Sequence, residues 1–81
     1  EAIEAIAHGV QGESRVIGRK IEDIPLPEGA TIAAIARGEQ VLIAHHDTMI
    51  LRDDHVILFL TDRRHIEVVE RLFDVPRRKG R

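Results

Sequence analysis

Thr31-Ile32-Ala33-Ala34-Ile35-Ala36-Arg37-Gly38-Glu39-Gln40-Val41-Leu42-Ile43-Ala44 is the stretch that decides the fold. Thr31 to Ala36 is a continuous apolar run with β-branched residues at three positions, the signature of a strand buried on both faces. Val41 to Ala44 repeats the pattern. Between the two runs, Gly38-Glu39 predicts a β-hairpin with a type II′ turn, because glycine readily takes the positive φ that this turn needs at its first central position.

Working outward, His55 to Leu60 (HVILFL) reads as a further buried strand, and Asp53-Asp54 before it as a turn. Thr61-Asp62 opens a helix with Asp62 as N-cap. Ile66, Val69 and Leu72/Phe73 form its buried stripe, with Glu67 and Glu70 facing outward. On the other side, Pro25-Leu26-Pro27-Glu28-Gly29 is a rigid connector. Val16, Ile17, Lys20, Ile21 and Ile24 follow a helical rhythm with Ser14 as N-cap, and the prolines limit that helix to about two turns. Residues 1–8 (EAIEAIAH) stay open between helix and strand, since Ile3 and Ile6 sit at helical spacing while Ile3, Ala5 and Ala7 alternate. The expected order, β-α-β-β-β-α, is that of a small α+β domain with about four strands and two helices.

Composition narrows the function. Eighty-one residues allow one domain, and so short a chain buries a modest share of its surface, so a partner subunit would help it. Glu1 in place of an initiator Met suggests a segment of a longer protein. Without cysteine there is no disulfide framework, thiolate metal site or Cys nucleophile. No apolar run approaches the roughly 20 residues of a transmembrane helix. Residues 1–74 carry 14 acidic and 8 basic side chains, net −6, while Arg77, Arg78, Lys79 and Arg81 form a basic tail. An acidic body with no Tyr or Trp lacks both the phosphate-binding face and the stacking platform of a nucleic-acid binder. The expected division is a domain over 1–74 and a disordered basic tail over 75–81.

Three clusters invite chemistry. His45-His46-Asp47 offers imidazoles and a carboxylate, but adjacent histidines on an extended chain point opposite ways, and a third ligand would have to come from His55 or His65. Asp53-Asp54 suits a turn better than an acid–base pair, which needs a cleft. Arg37, ending a buried strand, has a guanidinium fork that would hold an anion or a carboxylate. Ser14 lies in no nucleophile-elbow context, and the glycines form neither G-x-G-x-x-G nor a Walker A loop. Catalytic and metal residues are therefore expected to be none. Arg37, His45 and His46 are the candidate effector contacts.

The run Val16 to Gly38 (VIGRKIEDIPLPEGATIAAIARG), followed by Val41 to His45, Asp47 to Ile50 and Asp54 to Leu60, resembles the C-terminal module, TrkA-C or RCK-C, of the family that regulates potassium conductance. Residues 1–9 and the closing Val69-Glu-Arg-Leu-Phe share the likeness. The resemblance implies a mixed sheet with two helices and makes the first segment a strand. It implies a regulatory, non-enzymatic module of a bacterial potassium uptake (Trk) system, preceded by a separate domain binding NAD(H) or adenine nucleotide. The module would dimerise, and the whole subunit would form tetramers or octamers. The subunit would lie at the cytoplasmic face of the membrane on a potassium-translocating subunit. The alternative is a ligand-sensing module on another transporter, an antiporter or a transcription regulator. One departure concerns the turn: the family has Gly before the aspartate that opens the late strand, and this chain has Asp53, which tolerates the left-handed conformation better than most residues.

Overall fold

The computed structural model describes residues 1–10 and 12–75. The expected basic tail, apart from Val75, lies outside the described residues. Four strands form one sheet: β1 (Ala2–Ile6), β2 (Ala30–Arg37), β3 (Gln40–Ile43) and β4 (His55–Leu60), in the spatial order β1-β4-β2-β3. Every pairing is antiparallel. The implied mixed sheet is thus corrected: β4 returns between β1 and β2, running opposite to both.

The β2–β3 hairpin turns at Gly38, with φ 60°. Glu39 is absent from the positive-φ positions, which is the type II′ pattern. The reading of residues 2–6 as a strand holds: Ala2 to Ile6 pair with Phe59 to His55 in strict register. Ala and Glu would favour a helix in isolation, but pairing on β4 overrides that weak preference.

A β-bulge at Ala33 sets the faces. Ile32 pairs with Leu58 and Ala34 with Ile57, so Ala33 is the extra residue. Ile32 and Ile35 are three apart, and simple alternation would send them to opposite faces. The bulge brings both into the core with Ala5, Val56, Leu58 and Leu60. The expectation that β2 is buried on both faces is corrected accordingly, because Thr31, Ala34 and Ala36 lie on an open outer face.

One helix, α1 (Ile66–Phe73), covers the inner face with Val69 and Phe73 fully buried. It follows a 3-10 turn at Arg63–His65, whose N-cap is Asp62, accepting from the Arg64 N–H at 2.9 Å. The first expected helix is instead a turn at 15–18 followed by a 3-10 turn at Ile21–Asp23. Gly18, at φ 85°, breaks the helical path. The backbone around it is engaged elsewhere: Gly18 N–H donates to Ile50 O (2.8 Å), Ile50 N–H to Arg19 O (2.9 Å) and Ile21 N–H to Thr48 O (2.9 Å). Groups committed to the 48–50 segment cannot also close i→i−4 bonds. Ser14 is buried, with Oγ near the Val16 N–H at 3.5 Å, a local turn in place of a helix cap.

Candidate functional site

Arg37 lies at the end of β2, on the inner side of the sheet. Its Nε donates to Asp54 Oδ1 (2.9 Å) and its Nη2 to Asp54 Oδ2 (2.8 Å) and to the Met49 carbonyl (3.0 Å). Asp54 is wholly buried while Arg37 is 31% exposed. The Leu51 N–H also donates to Asp54 Oδ2 at 2.8 Å. A buried carboxylate is tolerated because a fork-shaped cation and a backbone N–H saturate it. Hydrogen bonding to Asp54, only partly offset by desolvation, raises the Arg37 pKa further above its ordinary value. The pair bolts the end of the hairpin to the 45–54 loop.

The residue before it makes this geometry possible. Asp53 adopts φ 64°, in the left-handed region. Its N–H donates to Ala7 O (2.7 Å), and its Oδ1 accepts from Gly9 N–H (3.2 Å). The two neighbouring carboxylates therefore have separate structural duties.

His45 and His46 lie on an exposed turn, closed by Thr48 N–H donating to His45 O (3.1 Å) and His45 N–H donating to Thr48 Oγ1 (3.0 Å). His46 Nδ1 is 3.2 Å from Glu22 Oε1. Arg37, on β2, reaches the 45–54 loop through the Met49 carbonyl, while on that loop His46 lies against Glu22. Among the described residues, no group of three or more His, Asp or Glu side chains is placed to hold a metal ion. His55 pairs with Glu4, and His65 Nδ1 lies 3.1 Å from Glu28 O.

The outer face of the sheet carries side chains that the sequence reading placed in core strands or left unassigned. Val41 is 72% exposed, Ile43 71% and Phe59 54%. Register places them in cross-strand rows: Ile6–His55–Ala36–Val41, then Glu4–Ile57–Ala34–Ile43, then Ala2–Phe59–Thr31. The charged members, Glu4 and His55, face each other, with Oε2 2.7 Å from Nδ1. Once 55–60 is a strand, its period-two geometry sets Phe59 on the face opposite Val56, Leu58 and Leu60, but the continuous apolar run does not say which face is open. For β2 the signal was masked, because the bulge at Ala33 inverts the parity.

An open four-stranded antiparallel sheet with one covering helix, pinned by the Arg37–Asp54 pair, defines a small α+β module. The TrkA-C domain family model matches residues 10–74, and the chain belongs to that family. It is 60% identical over 75 residues to the Trk system potassium uptake protein TrkA of Halomonas elongata, and 58% identical over 73 residues to that of Vibrio alginolyticus. These matches span 93% and 90% of this chain but 16% of each relative. A solved structure titled "Structure of RCK domain with cda" superposes with TM-score 0.72 at 12% identity, covering 90% of this chain and 97% of the other, which shows that the fold is shared. No helix among the described residues is long and apolar enough to cross a membrane.

Proposed function

We propose that this chain is a non-enzymatic regulatory module, spanning residues 1–74 with a basic extension over 75–81, of a potassium uptake protein, and that it holds subunits together through the outer face of its sheet. The observation that carries this reading is the open apolar surface of Val41, Ile43, Ile57 and Phe59 on a chain whose first 74 residues otherwise bear a net charge of −6. The polar side chains in those rows, Glu4 and His55, hydrogen-bond each other at 2.7 Å, and the remaining residues of the rows carry no charge. Strand spacing gives a footprint of roughly 300 Å² per copy, below the about 800 Å² per partner of a standard interface. The module alone should therefore associate weakly, and the rest of a ring-forming subunit would reinforce it. Nucleotide, NAD(H) or an adenine nucleotide, would act in a preceding domain by favouring one arrangement of subunits, which this module transmits to a membrane potassium-translocating partner on the cytoplasmic side.

Sedimentation equilibrium up to high-micromolar concentration tests the assembly role. The chain should self-associate, and Ile43→Glu, on a side chain that packs on nothing in the monomer's core, should remain folded and monomeric. A strictly monomeric wild-type chain refutes the reading.

Effector sensing is a second proposal. Arg37, His45 and His46 all attach to the 45–54 loop, so an anionic ligand gripping the exposed imidazoles would pull on the segment that Arg37 holds. Thermal-shift measurements with nucleotides, cyclic dinucleotides and divalent ions test it, and a flat response removes it.

A further inference from the structure

We infer that the basic segment after Val75, Pro76-Arg77-Arg78-Lys79-Gly80-Arg81, docks on its own chain as an added strand along the open edge of β1, in place of the solvated terminus that composition suggests. The inference does not depend on self-association through the outer sheet face. It starts from the edge itself. β1 is an outermost strand of the sheet. The Glu1 N donates to Leu60 O (2.8 Å), the Leu60 N–H to Glu1 O (2.8 Å) and the Ala7 N–H to Asp54 O (2.9 Å). Antiparallel alternation then turns the N–H and C=O groups of Ala2, Glu4 and Ile6 away from β4. Among the described residues, no hydrogen bond reaches the backbone of Glu4 or Ile6 on that side. Such an edge accepts a further extended chain.

The groove beside this edge selects a basic occupant. A cavity of about 340 Å³ lies between β1 and the last turn of α1, bounded by Glu4, Ile6 and His8 on one side and by Glu70, Phe73 and Asp74 on the other. Buried Phe73 and half-buried Ile6 make it apolar, while Glu4, Glu70 and Asp74 are exposed carboxylates. The cations of the folded body are engaged elsewhere: Arg52 with Glu13, Arg63 with Glu1 and Arg64 with Asp62. Arg71 borders a separate cavity with Arg15. Glu4 meets His55 through Oε2, so Glu70 and Asp74 carry most of the demand for a cation. The segment 76–81 holds four cations, against a net −6 on residues 1–74. Position completes the case. Asp74 leaves α1 in extended conformation (φ −65°, ψ 154°) and borders the same cavity as His8, which follows β1. Val75 reaches the loop beyond β1, where a Cβ on Gly12 would come within 2.7 Å of Val75 Cγ1. Pro76 bars any continuation of the helix. Six extended residues span roughly 20 Å, enough to return along β1 from Ile6 to Ala2. The docked segment closes an edge that would otherwise template pairing with another chain.

The test is amide hydrogen exchange, read by NMR on the 81-residue chain. The Glu4 and Ile6 amides should exchange about three- to tenfold more slowly in the wild type than in the combined variant Arg77→Gln, Arg78→Gln, Lys79→Gln. A cationic tail left in solution would draw hydroxide and speed exchange, so slowing reports docking and not charge alone. The Ile3 and Ala5 amides, which alternation directs to β4, should stay slow throughout and show that the sheet is intact. Salt raised to about 1 M cuts the screening length to about 3 Å and should erase the protection in the wild type, which gives the same readout without a substitution. Glu70→Gln, at an exposed position on α1, should remove part of it. Equal rates in the wild type and the tail variant, or rates that salt does not change, overturn the docking. Protection that grows with protein concentration also overturns it, because the edge is then filled by a second copy. Protection independent of concentration supports placement on the same chain.

Discussion

At the residue scale, the Arg37–Asp54 pair is the feature whose loss costs most. Asp54 is fully buried and receives three of its hydrogen bonds from Arg37 Nε, Arg37 Nη2 and the Leu51 N–H. Arg37→Ala strands a carboxylate in the core. We expect a loss of about 3 kcal/mol in urea unfolding, a large share of the stability of a domain this size. Arg37→Lys retains the charge but not the two-pronged geometry, and should lose about half as much. A loss below about 0.5 kcal/mol for Arg37→Ala would mean the pair is incidental. Asp53 and Arg37 illustrate what was legible at this scale. The left-handed turn at Asp53 follows from residue chemistry, since aspartate is among the few residues that enter that region readily. The fork of Arg37 announced a carboxylate or anion, but its partner lies 17 positions away and only folding brings it near.

At the scale of elements, the entry to α1 has a pH dependence of definite sign. Side-chain hydrogen bonding from Arg64, then its backbone N–H, lowers the Asp62 pKa to about 2. The folded value lies below that of the unfolded chain, about 3.9. The cap therefore contributes fully above about pH 4 and is lost as pH falls through about 2. An NMR titration should place the Asp62 carboxyl midpoint near 2, with the Arg64 amide shifting in step. A midpoint near 4 would show that the cap is not formed in solution. The helix itself was readable from Ile66, Val69 and Phe73, because periodicity and burial agree there. The segment after Ser14 was not, because its helical rhythm competes with backbone pairing to residues 48–50. A sequence window of that length contains one competitor and not the other.

At the scale of the whole molecule, a small sheet with a helix on one face and exposed Val41, Ile43 and Phe59 on the other is only half covered. If a second copy supplies the missing layer, the melting temperature should rise with protein concentration for the wild-type chain. It should stay constant for Ile43→Glu. Differential scanning calorimetry across a hundredfold range of concentration reads this directly, and a concentration-independent wild-type midpoint would speak against the second layer.

The linear chain by itself determined the hairpin at Gly38-Glu39, the strand character of 31–36 and 55–60, the cap at Asp62 and the turn at Asp53. Each depends on φ preferences or on apolar, β-branched composition over a few neighbouring residues. Tertiary structure alone decided that the sheet is antiparallel throughout, that the bulge at Ala33 puts Ile32 and Ile35 on one face, and that Arg37 meets Asp54. Those outcomes depend on which strand lies beside which, and burial energy shared among distant residues selects that arrangement.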